Sequence, residues 1–127
     1  MIIYPKKTVK ICSTANPSLI INAGLCNTFY TRLAGFMFRT KSDANYGLLF
    51  DEGSESKINS AIHMFFMNFN LTILWLDSEF FIVDKAYAKK WHPFYMPAKP
   101  ARYVLEIHES KFNDFFVGDK LELIDEN

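Results

Sequence analysis

Cysteine is scarce in this chain: Cys12 and Cys26 are its two thiols, and their spacing matches no metal motif. Three histidines at long, irregular separations, His63, His92 and His108, do not supply one either. No metal and no cofactor are therefore expected. A chain of 127 residues buries about two-thirds of its unfolded surface without a disulfide staple. Buried free thiols are the expected state, with a 12–26 bridge or a reactive thiol as the alternatives.

An excess of charge of either sign is also missing. Fourteen basic residues balance fourteen acidic ones, so no global field holds a polyanion or an anionic membrane by counterion release. Neither nucleic acid nor membrane is an expected partner. No stretch approaches eighteen apolar residues; the richest window, Ala61 to Leu76, is interrupted by His63, Asn68 and Asn70. Met1 to Lys10 carries Lys6, Lys7 and Lys10 and lacks the apolar h-region of a secretory signal, which predicts an unexported, cytoplasmic protein. Phosphate loops, nucleophile elbows, paired-histidine zinc motifs and dinucleotide-binding glycine patterns are absent as well.

Aromatic residues, in contrast, are abundant. Thirteen Phe, six Tyr and two Trp exceed what one core of this size needs, so some are expected to line a groove or a partner surface. Self-association through exposed rings is one such use. With 50% hydrophobic and 22% charged residues, the composition is that of a globular chain rather than a disordered one.

Along the chain, Thr8–Cys12 alternates as a half-buried strand, Asn16-Pro17-Ser18 turns, and Leu19–Ile21 reads as a second strand ended by Asn22, Ala23 and Gly24. Phe29, Leu33, Phe36 and Met37 share a helical face, capped by Asn27 or Thr28. Gly35 inside that helix suggests a close neighbouring backbone. Further strands are predicted at Tyr46–Phe50, Ser60–Met67, Leu71–Leu76, Glu79–Ala86 and Tyr103–Ile107, with a closing one around Leu121 and Leu123. Three of these, from Ser60 to Ala86, form an economical meander. Ser110 can cap a short helix whose Phe112, Phe115 and Phe116 share a face, with Gly118 as its terminator. The segment 89–100, with Pro93, Pro97 and Pro100 around Trp91, Phe94, Tyr95 and Met96, reads as an ordered flap pinned to the core.

The fold expected is mainly β with small α insertions: one barrel-like, strongly curved sheet of about eight short strands and two short helices. It forms a single domain over 1–127, ordered from about 8 to 124 with flexible ends at 1–7 and 125–127.

Polar residues inside apolar segments are the candidate site. Arg32 and Arg39 lie close to two helical turns apart, and their planar forks suit either a ligand carboxylate or phosphate, or a structural ion pair with Glu106 or Asp119. His63 within an apolar strand is a core or groove histidine, or a general base. Glu106 between Val104-Leu105 and Ile107 is an anchor if buried beside an arginine. Trp91 in the flap can stack on a ligand or pin the loop.

As a whole, the stretch from about Leu19 to Leu123 resembles the domain-of-unknown-function 192 family. The islands are Cys26-Asn27-Thr28, Arg32, Gly35-Phe36-Met37 and Arg39; Gly47-Leu48-Leu49-Phe50; Met64 through Ile73-Leu74-Trp75-Leu76-Asp77; Tyr103-Val104-Leu105-Glu106; and Gly118-Asp119. Where many members carry Lys-Asn-Thr after the Met and Asp before the hydrophobic strand, this chain has Phe65-Phe66-Met67 and Thr72. The resemblance implies a small β-rich, barrel-like domain of unknown function. On the residues, the leading reading is a non-catalytic module in which Arg32, Arg39, His63, Glu106 and Trp91 border an aromatic groove for a small molecule or a peptide carboxylate. The alternatives are a hydrolase-like or lyase-like enzyme with His63 as base, and a protein-interaction domain using the 89–100 flap.

Overall fold

The structure is a computed structural model that describes residues 7–26, 46–65 and 67–126. Seven strands run in chain order as β1 (Thr8–Ser13), β2 (Ile20–Cys26), β3 (Tyr46–Ser56), β4 (Leu71–Leu76), β5 (Ile82–Ala88), β6 (Ala101–His108) and β7 (Leu121–Glu126), with a 3-10 helix, Glu109–Asp114, between the last two. They form one sheet in the order β5-β4-β6-β3-β2-β1-β7. The β2–β3 pair is parallel, and the other neighbours are antiparallel.

The outermost strands of that order meet at one end. An isolated bridge pairs Phe81 with Lys120. Ile82 N donates to Asp119 O (2.8 Å), Gly118 N to Ile82 O (2.8 Å), and Leu121 N to Phe80 O (2.9 Å). The sheet is thereby curled into a half-barrel, which disposes of part of two edges that would otherwise expose unpaired backbone. Phe80 adopts a positive φ of 67° here, in a turn where the Asp77 carboxylate accepts from Glu79 N and Phe81 N.

Strand alternation sorts the apolar residues into two cores. Val9, Ile11, Ile21, Leu49, Leu74, Leu76, Leu105 and Ile107 pack with Ile82 and Leu121 from the two meeting edges, so this cluster fills the inside of the curl. Cys26, Leu48, Phe50, Ile73, Trp75 and Val104 face the other way and are covered by Met64, Met67, Phe69 and Tyr95. All six residues of β4 are buried because it carries cores on both faces.

The mainly β, barrel-like architecture is the one expected from the sequence, while its details differ. Ser60–Met67 is not a strand of the sheet; Ile62 forms a lone bridge to Tyr95. Trp75 Nε1 donates to Ser60 O (2.7 Å), and the carbonyl and amide of Met64 bond to residues 91 and 92, so this segment pairs with the flap. The meander fails accordingly: β6, not a strand from 60–67, flanks β4 opposite β5. Strand β2 continues past Asn22 and Gly24 to Cys26, because it is paired on both sides. The helix expected after a Ser110 cap is a 3-10 helix capped two residues earlier, by His108, whose ring accepts from Ser110 N. It is the one helical element among the described residues, which therefore hold no helix long and apolar enough to cross a membrane. The expected helix at 29–38, with Gly35, lies outside the described residues.

Both cysteines are buried free thiols. Cys12 is paired with Ile20, and Cys26 lies six residues further along β2, roughly 20 Å away at the rise of a strand, so no bridge can join them. Burial, and then the adjacent Glu122, hold the Cys12 thiol above its ordinary value.

Close approach of backbones occurs at Gly47. A Cβ there would lie 2.7 Å from Ile107 Cγ2 and 2.9 Å from Glu106 O, both on β6 at the end of the β3–β6 pair where Leu48 faces Glu106. Gly47→Ala is expected to destabilise the protein by about 1–3 kcal/mol, read as a lowered urea midpoint. An unchanged midpoint would show that β3 and β6 can part at no cost.

Candidate ligand site on the outer sheet face

Glu106 sits in the centre of β6, opposite Leu48 of β3 and Ile73 of β4. Directly opposed residues share a face, so its side chain belongs to the outer face with Val104, Leu48 and Ile73. It is half-buried, and no hydrogen bond or ion pair joins it to another described residue. Burial raises the carboxyl from its ordinary 4.5 to about 8, and the negative charge of Glu52 pushes the same way. At neutral pH the group is mostly a neutral acid, able both to donate and to accept.

Two irregular segments cover this face and are stitched to each other. Ile62 and Tyr95 exchange backbone hydrogen bonds of 2.9 Å each way, Met64 N donates to His92 O (3.0 Å), and Trp91 N donates to Met64 O (2.8 Å). The result is a two-sided ribbon. Ile62, Met64 and Tyr95 point inward onto the sheet, whereas His63, Phe65, Trp91, Phe94 and Met96 are exposed. The flap is fixed at further points: Tyr95 Oη accepts from Lys89 N, Asn70 Oδ1 from Lys90 N, and Asp84 Oδ2 from Ala98 N, at 2.8–2.9 Å. Trp91 itself has a φ of 65°, a left-handed conformation that is uncommon for a bulky side chain and persists only where neighbours impose it.

Three of the five candidate residues, Glu106, His63 and Trp91, are among those described. Glu106 lies on the outer face of the sheet, opposite Leu48 and Ile73. His63 and Trp91 are brought near one another by the Met64 hydrogen bonds but stand on the ribbon's outer side. Arg32 and Arg39 lie outside the described residues. His63 Nδ1 accepts from Phe65 N (3.2 Å), so a neutral ring carries its proton on Nε2 and has no outward-facing lone pair. Among the described residues, no group of three or more His, Cys, Asp or Glu is placed to hold a metal.

Two charged contacts were not legible in the sequence. Arg102 forms a bidentate pair with Asp51, at 3.0 and 3.3 Å, and lies over the Tyr103 ring. Lys85 Nζ donates to Phe112 O (2.8 Å) and Phe115 O (2.9 Å) and rests 4.1 Å from the Phe112 ring centroid. It closes the end of the 3-10 helix, as cations do at helix C-termini. Both link residues far apart in the chain, with no local pattern to announce them.

The sequence pattern of the family described as uncharacterised ACR, domain of unknown function 192, matches residues 10–123. The chain belongs to this family. Similar members include the UPF0127 protein of Pyrococcus furiosus, 32% identical over 111 residues, or 86% of this chain and 92% of that protein. That of Pyrococcus horikoshii is 35% identical over 102 residues, or 77% and 84%. The Thermococcus kodakarensis protein is 40% identical over 82 residues, and the chain spans about half the length of the Thermococcus relatives it matches. Among solved structures, a protein from Sinorhizobium meliloti described as a candidate transcription regulator superposes with a TM-score of 0.81 at 23% identity, over 97% of both chains. One of unknown function from Novosphingobium aromaticivorans gives 0.74 at 22%, over 91% of this chain and 84% of its own. At these identities they share the half-barrel fold with the domain-of-unknown-function 192 chain, which is the family its sequence islands resemble.

A carboxyl with a raised folded-state pKa keeps protons that the unfolded chain has released. Stability contributed by Glu106 is therefore greatest below about pH 4.5, falls as pH rises towards 8, and is level beyond it. The fall is expected to be on the order of 2 kcal/mol, less than full linkage because the carboxyl keeps some solvent contact. Glu106→Gln should remove this slope in urea titrations between pH 5 and 9. A variant with the wild-type slope would place the ionisation elsewhere.

Proposed function

We propose that this chain is a non-catalytic binding module for a small organic ligand, seated on the outer sheet face at Glu106. The observation that carries this reading is a carboxyl set between Leu48 and Ile73, near enough to Glu52 to feel its charge and with no hydrogen-bond or ion-pair partner among the described residues. Such a group costs stability, and binding sites are where proteins tolerate that cost. A fitting ligand has an apolar body and a polar or cationic group for the carboxyl. Arg32 and Arg39, from the chain between β2 and β3, are the proposed forks for a ligand or peptide carboxylate. The engagement of His63 Nδ1 with Phe65 N favours this reading over one with His63 as a base.

Screening a library of small amines, amides and amino-acid derivatives by thermal shift is expected to raise the midpoint with at least one class, in proportion to concentration over Kd. In Glu106→Leu, which suits the apolar neighbours and should fold at least as stably, the same compounds should bind at least tenfold more weakly. A library that shifts nothing, or equal binding to the leucine variant, would sink the assignment.

A further inference from the structure

We propose that the outer side of the ribbon formed by residues 61–65 and 91–96 docks on an anionic lipid surface. The inference is independent of the ligand site, which lies on the outer face of the sheet.

Alternation creates the apolar tip. Because Ile62, Met64 and Tyr95 turn inward, their neighbours turn outward, and Phe65, Trp91, Phe94 and Met96 are 41%, 52%, 55% and 46% exposed. These are large side chains of the kinds that enter the interfacial zone of a bilayer, where an aromatic ring can bury its body and keep its polar edge wet. The mutual hydrogen bonds of the ribbon and the fixed φ of Pro93 and Pro97 present them on a rigid support, so little conformational freedom is lost on docking.

Charge supplies the second, independent observation. The protein is neutral overall, but its charges are not evenly spread. From Lys85 to Leu105 the sequence has Lys85, Lys89, Lys90, Lys99 and Arg102 and no acidic residue, and from Lys57 to Leu76 it has Lys57 and no acidic residue. Lys85 is engaged with the 3-10 helix and Arg102 with Asp51. That leaves Lys57, Lys89, Lys90 and Lys99, all exposed and none in an ion pair with a described residue. Lys89 and Lys90 immediately precede Trp91, and Lys99 follows Met96 by three residues. Aromatic anchors rimmed by lysine suit an anionic headgroup layer, whereas lysine is depleted from protein–protein interfaces. The expectation of no membrane contact drawn from net charge concerns the whole chain, and the ribbon departs from that average.

The test is sedimentation of the full 127-residue chain with vesicles of phosphatidylcholine alone or with 30 mol% phosphatidylglycerol, in low salt. Binding at least tenfold stronger to the anionic vesicles is expected, with a blue shift in emission from Trp91, since Trp75 is already buried. Replacing Lys89, Lys90 and Lys99 together by Gln should weaken binding about fivefold per lysine, and Phe94→Ser with Met96→Ser should abolish the blue shift. All five positions are exposed and lie outside the Ile62–Tyr95 bridge, and circular dichroism checks that each variant is folded. For wild type alone, brominated lipids should quench Trp91. Failure to bind anionic vesicles, equal binding to neutral ones, or binding unchanged in the lysine variant overturns the proposal. Self-association through the same rings without vesicle binding would assign the surface to a second copy and overturns it equally.

Discussion

The junction between β5 and β7 is the constraint on which the arrangement depends. Until Ile82, Gly118, Asp119 and Leu121 exchange their backbone hydrogen bonds, the sheet has two open edges and no inside. Once it curls, one face of every strand is committed to a closed core, and the other must be covered by whatever chain remains. The interior is accordingly built from aliphatic residues with few polar intrusions, whereas the outer face is where Glu106, the ribbon and the tryptophans are found.

Covering a sheet face with irregular chain poses a hydrogen-bonding problem, because the covering segments bring amides and carbonyls that no sheet neighbour satisfies. This protein solves it by pairing two such segments with each other. Ile62 with Tyr95, and Met64 with Trp91 and His92, satisfy one another's backbones, while Trp75 Nε1 takes the carbonyl of Ser60. A ribbon made in this way necessarily has a second side. Its inward residues complete the core, and its outward ones, Phe65, Trp91, Phe94 and Met96 among them, are exposed.

The strands were legible in the sequence wherever alternation or a short apolar run has a single meaning, as at Thr8–Cys12, Leu71–Leu76 and Tyr103–Ile107. The family was legible from islands such as Gly47-Leu48-Leu49-Phe50 and Tyr103-Val104-Leu105-Glu106. Ser60–Met67 misled because its apolar residues belong to a covering layer, where they alternate like a strand without joining the sheet. At the candidate site, the sequence singled out Glu106, His63 and Trp91 as unusual but could not tell which side of the ribbon each occupies, since that depends on pairing between residues some thirty positions apart. Arg102–Asp51 and Lys85 with the Phe112 and Phe115 carbonyls are likewise contacts of topology, invisible to local pattern.

The pairing of β1 with β7 joins residues such as Ile11 and Leu123 across almost the whole described chain. Contacts of that span are slow to form, because the loop between them must be closed before they are rewarded. During folding, β1 therefore waits beside β2 with one edge open, and that edge carries Val9 and Ile11, which suits it to pairing with another copy. Lys10 between them is a natural gatekeeper: a charge on the strand that waits longest discourages the wrong partner while the right one is still distant.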